Sequence, residues 1–99
     1  MVDMTRAGFK ASLADDAPPN GAAAALAALW WIRKGEWDRA HEIVMGESSQ
    51  AAAWVHAHLH RIEGDASNAG YWYRQAKKPV ASGSIDAEWE TIVDDMLAP

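Results

Sequence analysis

Three of the four histidines fall within five residues, in the run His56-Ala57-His58-Leu59-His60. Neutral imidazole ligates zinc and other divalent transition metals, forms hydrogen bonds, and exchanges protons near neutral pH. Which of these the run can do depends on the backbone beneath it. On a strand, alternate spacing would put all three rings on one face. On a helix, at 100° per residue, only His56 and His60 share a face, and His58 points roughly opposite. Glu63, three residues after His60, joins that shared face. His56, His60 and Glu63 thus form an acceptable partial ligand set for a divalent metal. One helix rarely completes such a site, and the H-E-x-x-H signature is absent. The other reading is that these groups hydrogen-bond to a neighbouring helix, with Arg61 or Arg74 offsetting Glu63. His58 borders the apolar stripe Val55, Leu59 and Ile62, so it is expected as a satisfied, half-buried imidazole rather than a catalytic base.

Other chemistries find little support. Cysteine is absent, which removes disulfides, thiolate nucleophiles and Cys-based metal sites. The serines sit where caps and loops are expected, no Gly-x-Ser-x-Gly elbow occurs, and no glycine loop could cradle a phosphate. No catalytic residue and no cofactor is assigned. Residues 1–83 carry balanced charge, and the net −5 comes from Asp86, Glu88, Glu90, Asp94 and Asp95. With no basic stripe, nucleic acid is not an expected partner; an electrostatic partner should be basic and meet the C-terminal end. The acidic helix is otherwise a solvated outer face, with Asp94 and Asp95 at the negative end of a helix dipole and no local cation. The apolar run 22–32 is too short to span a membrane, and residues 1–15 lack a signal-peptide core. A cytoplasmic location is the default expectation.

The elements that must position the histidines are helices. Val, Ile, Leu and Phe are scarce, which alone leans toward disorder. Against that stand six tryptophans and alanine at about a fifth of positions, a pairing suited to closely packed helices. A weak helix is expected over 4–14, then a loop through Pro18-Pro19-Asn20-Gly21. Helices follow over 22–34, ended by Gly35; 37–45, ended by Gly46; and 50–63, capped by Ser48 or Ser49 and stopped by Gly64. A fourth spans 66–77, capped by Asp65, buries Ala69, Trp72, Tyr73 and Ala76, and closes at Pro79. Gly70 within it predicts close approach of another backbone. Ser84 caps a last helix with the apolar stripe Ile85, Trp89, Ile92, Val93 and Met96. Trp31 and Trp54 fit no apolar stripe, and Tyr71 points away from Trp72 and Tyr73.

Gly35 and Gly64 lie 29 residues apart, and that offset pairs Leu26 with Val55, Trp30 with Leu59, Ile43 with Trp72 and Val44 with Tyr73. Such periods mark stacked helical hairpins. Gly64-Asp65…Ala69…Tyr73…Ala76…Pro79 resembles the second-helix half of a tetratricopeptide repeat, and Gly35…Ala40…Val44 is a weaker copy. The resemblance covers about residues 22–79; the first helices lack that family's internal Gly and Tyr, and 29 is shorter than its 34-residue period. The run from Trp54 to Asp65, with Asn68-Ala69 and Tyr71-Trp72-Tyr73, also resembles a group of small bacterial proteins that pair a His-rich helix with an aromatic one. That kinship implies no activity.

The expected architecture is one all-α domain. Residues 1–21 form an N-terminal segment and Pro-rich loop, 22–46 and 48–79 two stacked antiparallel, tetratricopeptide-like hairpins, and 84–97 an amphipathic capping helix. The favoured function is a non-enzymatic interaction or scaffolding module for a protein or peptide partner, or for a second copy in a homodimer. Its groove would be lined by Trp31, His56, His60, Glu63 and Tyr71, with Trp54 a further candidate. The alternative is a small-ligand or metal-binding site, with catalysis open to it, built on His41, His56, His60 and Glu63.

Overall fold

Hydroxyls, carboxylates and glycines set the helix boundaries much as the spacing predicts. The computed structural model describes residues 4–98, which contain no strand. Helix α1 (Arg6–Ala11) begins at Thr5, whose hydroxyl accepts the Gly8 amide. The expected helix over 4–14 is shorter and ends in a 3₁₀ turn at Ser12–Ala14. Ser12 donates its hydroxyl to the Phe9 carbonyl and accepts the Trp30 indole N–H at 3.1 Å, which tightens the chain there. Helix α2 (Ala24–Arg33) starts later than residue 22, after Gly21 turns with a positive φ of 82°. Helix α3 (Trp37–Met45) and helix α4 (Gln50–Glu63) have their expected bounds.

The caps of the remaining helices are equally concrete. Ser49 caps α4 through the Ala52 amide, Asp65 caps α5 (Ala66–Ala76) through Asn68, and Ser84 caps α6 (Ile85–Leu97) through Ala87. Each such cap satisfies an amide that has no partner inside its helix. Gly64 closes α4 at φ 84°, in the left-handed region that a residue without Cβ enters freely. Lys77 takes the same region at φ 58° and ends α5 one residue earlier than expected.

Helices α2 and α3 pack on each other, as do α4 and α5, and α4 also touches α2, α3 and α6. The main core gathers Phe9, Leu29, Trp30, Val55, Leu59, Trp89, Ile92 and Val93 around small alanines such as Ala28 and Ala40. A smaller cluster joins Ala57, Ala69 and Tyr73, and half-buried Trp54 touches both. Indole N–H groups lock the helices together: Trp89 donates to the Leu29 carbonyl and Trp37 to the Leu59 carbonyl, each at 2.8 Å. Gln50 donates to the Ala76 carbonyl at 2.6 Å and so ties the start of α4 to the end of α5. Among the described residues no helix is long and apolar enough to cross a membrane.

Several expectations need correction. Ile85 is 39% exposed, because the α6 stripe turns inward only from Glu88 onward. Trp72 is half-buried while Tyr73 is buried. The acidic helix is not simply a solvated face, since Glu88 is 7% exposed. Its neighbours find cations within the chain: Arg33 meets Asp86 at 2.7 Å, Lys10 meets Glu90 at 3.0 Å, and Arg6 meets Asp94 at 2.8 Å. These exposed pairs contribute little stability individually, but they seat α1 and α2 against α6.

Gly70 is also unlike its expectation. A Cβ built there would meet only Arg74 Nη1, at 3.6 Å, and no approaching backbone. Glycine in a helix interior costs about 1 kcal/mol against alanine, chiefly through backbone entropy. Gly70→Ala should therefore raise the unfolding free energy by about 1 kcal/mol in a urea titration. A loss of stability would show that another element needs the space.

Candidate functional site

Helix α4 distributes its histidines by the 100° step. His56 and His60 turn toward α3 and α5, and His58 turns toward α6. All three are buried, at 5%, 8% and 0% exposure. On the α3 side, the loop at Gly35 brings Trp37 and His41 over the middle of α4. One ligand atom from each of His41, His56 and His60 then lies within 4.8 Å of the other two. His41 Nε2 and His56 Nε2 are 3.0 Å apart, so in the neutral pair one ring donates and the other accepts.

Aromatic walls hold the cluster. Trp37 is fixed by its bond to the Leu59 carbonyl and stacks on His41, centroids 4.6 Å apart. Trp72 of α5 lies flat against His56 at 3.9 Å and 10°. His56 and His60 stack at 5.0 Å, as residues one helical turn apart can. Beyond His60, Glu63 Oε1 sits 2.9 Å from Nδ1. The carboxylate accepts that ring N–H, which leaves the other ring nitrogen with a lone pair. Neither Arg61 nor Arg74 offsets Glu63 here; Arg61 turns instead to Glu88 and to the carbonyls of Gly83 and Ser84.

The electrostatics favour neutral rings at His41 and His56. Burial lowers the His56 pKa to about 4, and His41 and His60 add to the effect. His41 is lowered by burial and then by His60, while Glu63 and Asp38 pull it back upward. At neutral pH His41 and His56 therefore offer lone pairs rather than positive charge.

The inward side of α4 carries a second polar group, which the sequence pattern does not announce. His58 Nδ1 donates to Glu88 Oε1 at 2.7 Å, Arg61 Nη1 reaches the same oxygen at 3.2 Å, and the Tyr73 hydroxyl donates to Oε2. Burial opposes the Glu88 carboxylate, but these hydrogen bonds prevail and hold its pKa below the ordinary value. Burial and the same carboxylate push the Tyr73 phenol upward. His58 is thus fully buried, not half-buried, and only one of its nitrogens is satisfied. A signal existed: on a helical wheel Glu88 lies only 40° from Ile92, inside the α6 apolar stripe.

The structure brings together His41, His56, His60 and Glu63. Tyr71, 46% exposed, stands at the edge with its ring against Trp72. Trp31 makes its ring contacts elsewhere, with Trp30 and with the Arg39 guanidinium 4.3 Å above it. Trp54 bridges the two apolar clusters under Lys78 and lines a cleft of about 240 Å³ beside Pro79 and Thr91. Trp37 and Trp72 wall the cluster, although the apolar pattern of the sequence gives their indoles only core roles. Comparison with protein-family models, curated proteins and solved structures finds no match.

The low His56 pKa has a defined consequence. Between pH 6.5 and about 4 the unfolded chain protonates this ring while the folded chain resists, so stability falls as pH drops through that window. The melting temperature should decline across it, and His56→Gln should flatten that part of the profile. A profile unchanged by the substitution would contradict the burial assigned to this ring.

Proposed function

We propose that the protein is a small helical-hairpin domain, tetratricopeptide-like in character, that binds a divalent transition metal through His41, His56 and His60. The observation that carries this reading is the convergence of three ring nitrogens, from two helices, within 4.8 Å of one another. Zinc–imidazole bonds of about 2.0–2.1 Å place the nitrogens of a tetrahedral site about 3.3 Å apart. To admit an ion, the His41–His56 separation of 3.0 Å must open slightly, and any of the other separations, all within 4.8 Å, that exceeds that spacing must draw in toward it. His41 and His56, whose pKa values burial lowers, surrender few protons to a metal at pH 7. Glu63 supplies the outer hydrogen bond that orients a ligating His60 and raises its basicity. A metal on three imidazoles keeps a fourth position for water or another ligand.

Isothermal titration of the full chain with zinc at pH 7 tests this. One equivalent should bind to the wild type, and binding should vanish in His56→Ala/His60→Ala. Glu63→Gln should weaken affinity by about 10–100-fold, the usual effect of losing an outer-shell partner. Absence of binding, or binding indifferent to the double substitution, would contradict the proposal. The second reading is an interaction module, and one feature favours it: Tyr71 offers an exposed aromatic edge against the Trp72–His56 stack.

A further inference from the structure

His58 Nε2 is the one buried side-chain nitrogen or oxygen among the described residues without a hydrogen-bond partner. Its ring is held from the other side, with Nδ1 2.7 Å from Glu88 Oε1. Arg61 already supplies a cation to that carboxylate at 3.2 Å. With Nδ1 bonded to the carboxylate, Nε2 is the ring nitrogen left over to accept a hydrogen bond. Nε2 is then a fixed acceptor. Native interiors leave few such groups unmatched, and each calls for a water, an ion or a ligand.

The same imidazole forms part of the wall of a cleft of about 270 Å³ where the ends of α2 and α4 meet the start of α6. Ile32, Ile62, Ile85 and Trp89 give this cleft its apolar walls. Its charged residues neutralise each other: Arg33 pairs with Asp86 at 2.7 Å and spreads its guanidinium over the Trp89 indole at 4.2 Å. No net charge remains there to select an ion. His58 also faces away from His56 and His60, so the cleft is separate from the imidazole triad.

We propose that this cleft binds a small, uncharged, largely apolar molecule bearing a single O–H or N–H donor, whose hydrogen bond His58 Nε2 accepts. The nitrogen is shielded from water in this conformation, so the ligand displaces a wall side chain to reach it. Ile85, in the first turn of α6 and 39% exposed, is the most exposed apolar residue of that wall.

Phenol is a suitable probe, with toluene as a ring of similar size that lacks the donor. Imidazole nitrogen resonances of the ¹⁵N-labelled full chain report the outcome. Phenol should shift His58 Nε2 saturably and bind about tenfold or more tightly than toluene, the increment expected for matching a buried acceptor. In His58→Phe the two probes should bind equally. Ile85→Trp, which keeps His58 and fills the cleft, should abolish phenol binding without altering the fold. The proposal is overturned if toluene matches phenol in the wild type, or if neither binds. It is equally overturned if Nε2 is already hydrogen-bonded and phenol leaves it unchanged, because an enclosed water would then satisfy it.

Discussion

The helical step of α4 is the constraint on which the rest depends. Four other helices or turns converge on α4, so almost every side chain from Ala52 to His60 is buried. A helix buried nearly all round is normally apolar throughout. This one carries three imidazoles, and each must find a partner or remain a cost to folding. The 100° step sends one to a carboxylate on α6 and two to a histidine on α3. Neighbouring segments are arranged to receive them: Trp37 and Trp72 flank the outer pair, and Glu88, Tyr73 and Arg61 enclose the inner ring.

Two polar environments of opposite character follow from that one helix. The inner group concentrates negative charge on Glu88, balanced by Arg61, and fastens α6 across α4 and α5. Removing one member of such a group leaves the others buried and unpaired, whereas the exposed pairs from α1 and α2 to α6 are screened by solvent. In the outer group burial and the neighbouring rings disfavour protonation of His41 and His56. Charge balance offsets the burial of the first, while the second brings ring nitrogens of two helices together. Scarcity of long aliphatics is offset in the same way, by indoles that fill volume and donate hydrogen bonds between helices.

Much of this was legible in the sequence where the signal is local. Gly35, Ser49, Gly64, Asp65 and Ser84 mark helix ends through short-range backbone chemistry, and the spacing of His56 and His60 follows from helical periodicity alone. The meeting with His41 needed a tertiary arrangement, which the repeat of Gly35 and Gly64 suggested without fixing any distance. Glu88 was hidden by its acidic neighbours, since composition cannot separate one buried carboxylate from half-buried Glu90 and exposed Asp86, Asp94 and Asp95. Gly70 misled for a related reason: a helical glycine can mark a close backbone approach, but here Arg74 is its nearest neighbour. Trp31 and Trp54 departed from their stripes, yet each lies against a cation and partly within the core.

Anomalous diffraction from crystals of the full chain grown with one equivalent of zinc shows directly whether α3 and the outer face of α4 form one metal-binding centre. A single strong peak is expected about 2.0–2.2 Å from one nitrogen each of His41, His56 and His60, with Glu63 retained on His60 Nδ1. A peak held by surface carboxylates, or no peak while His41 and His56 keep their hydrogen bond, would contradict such a centre.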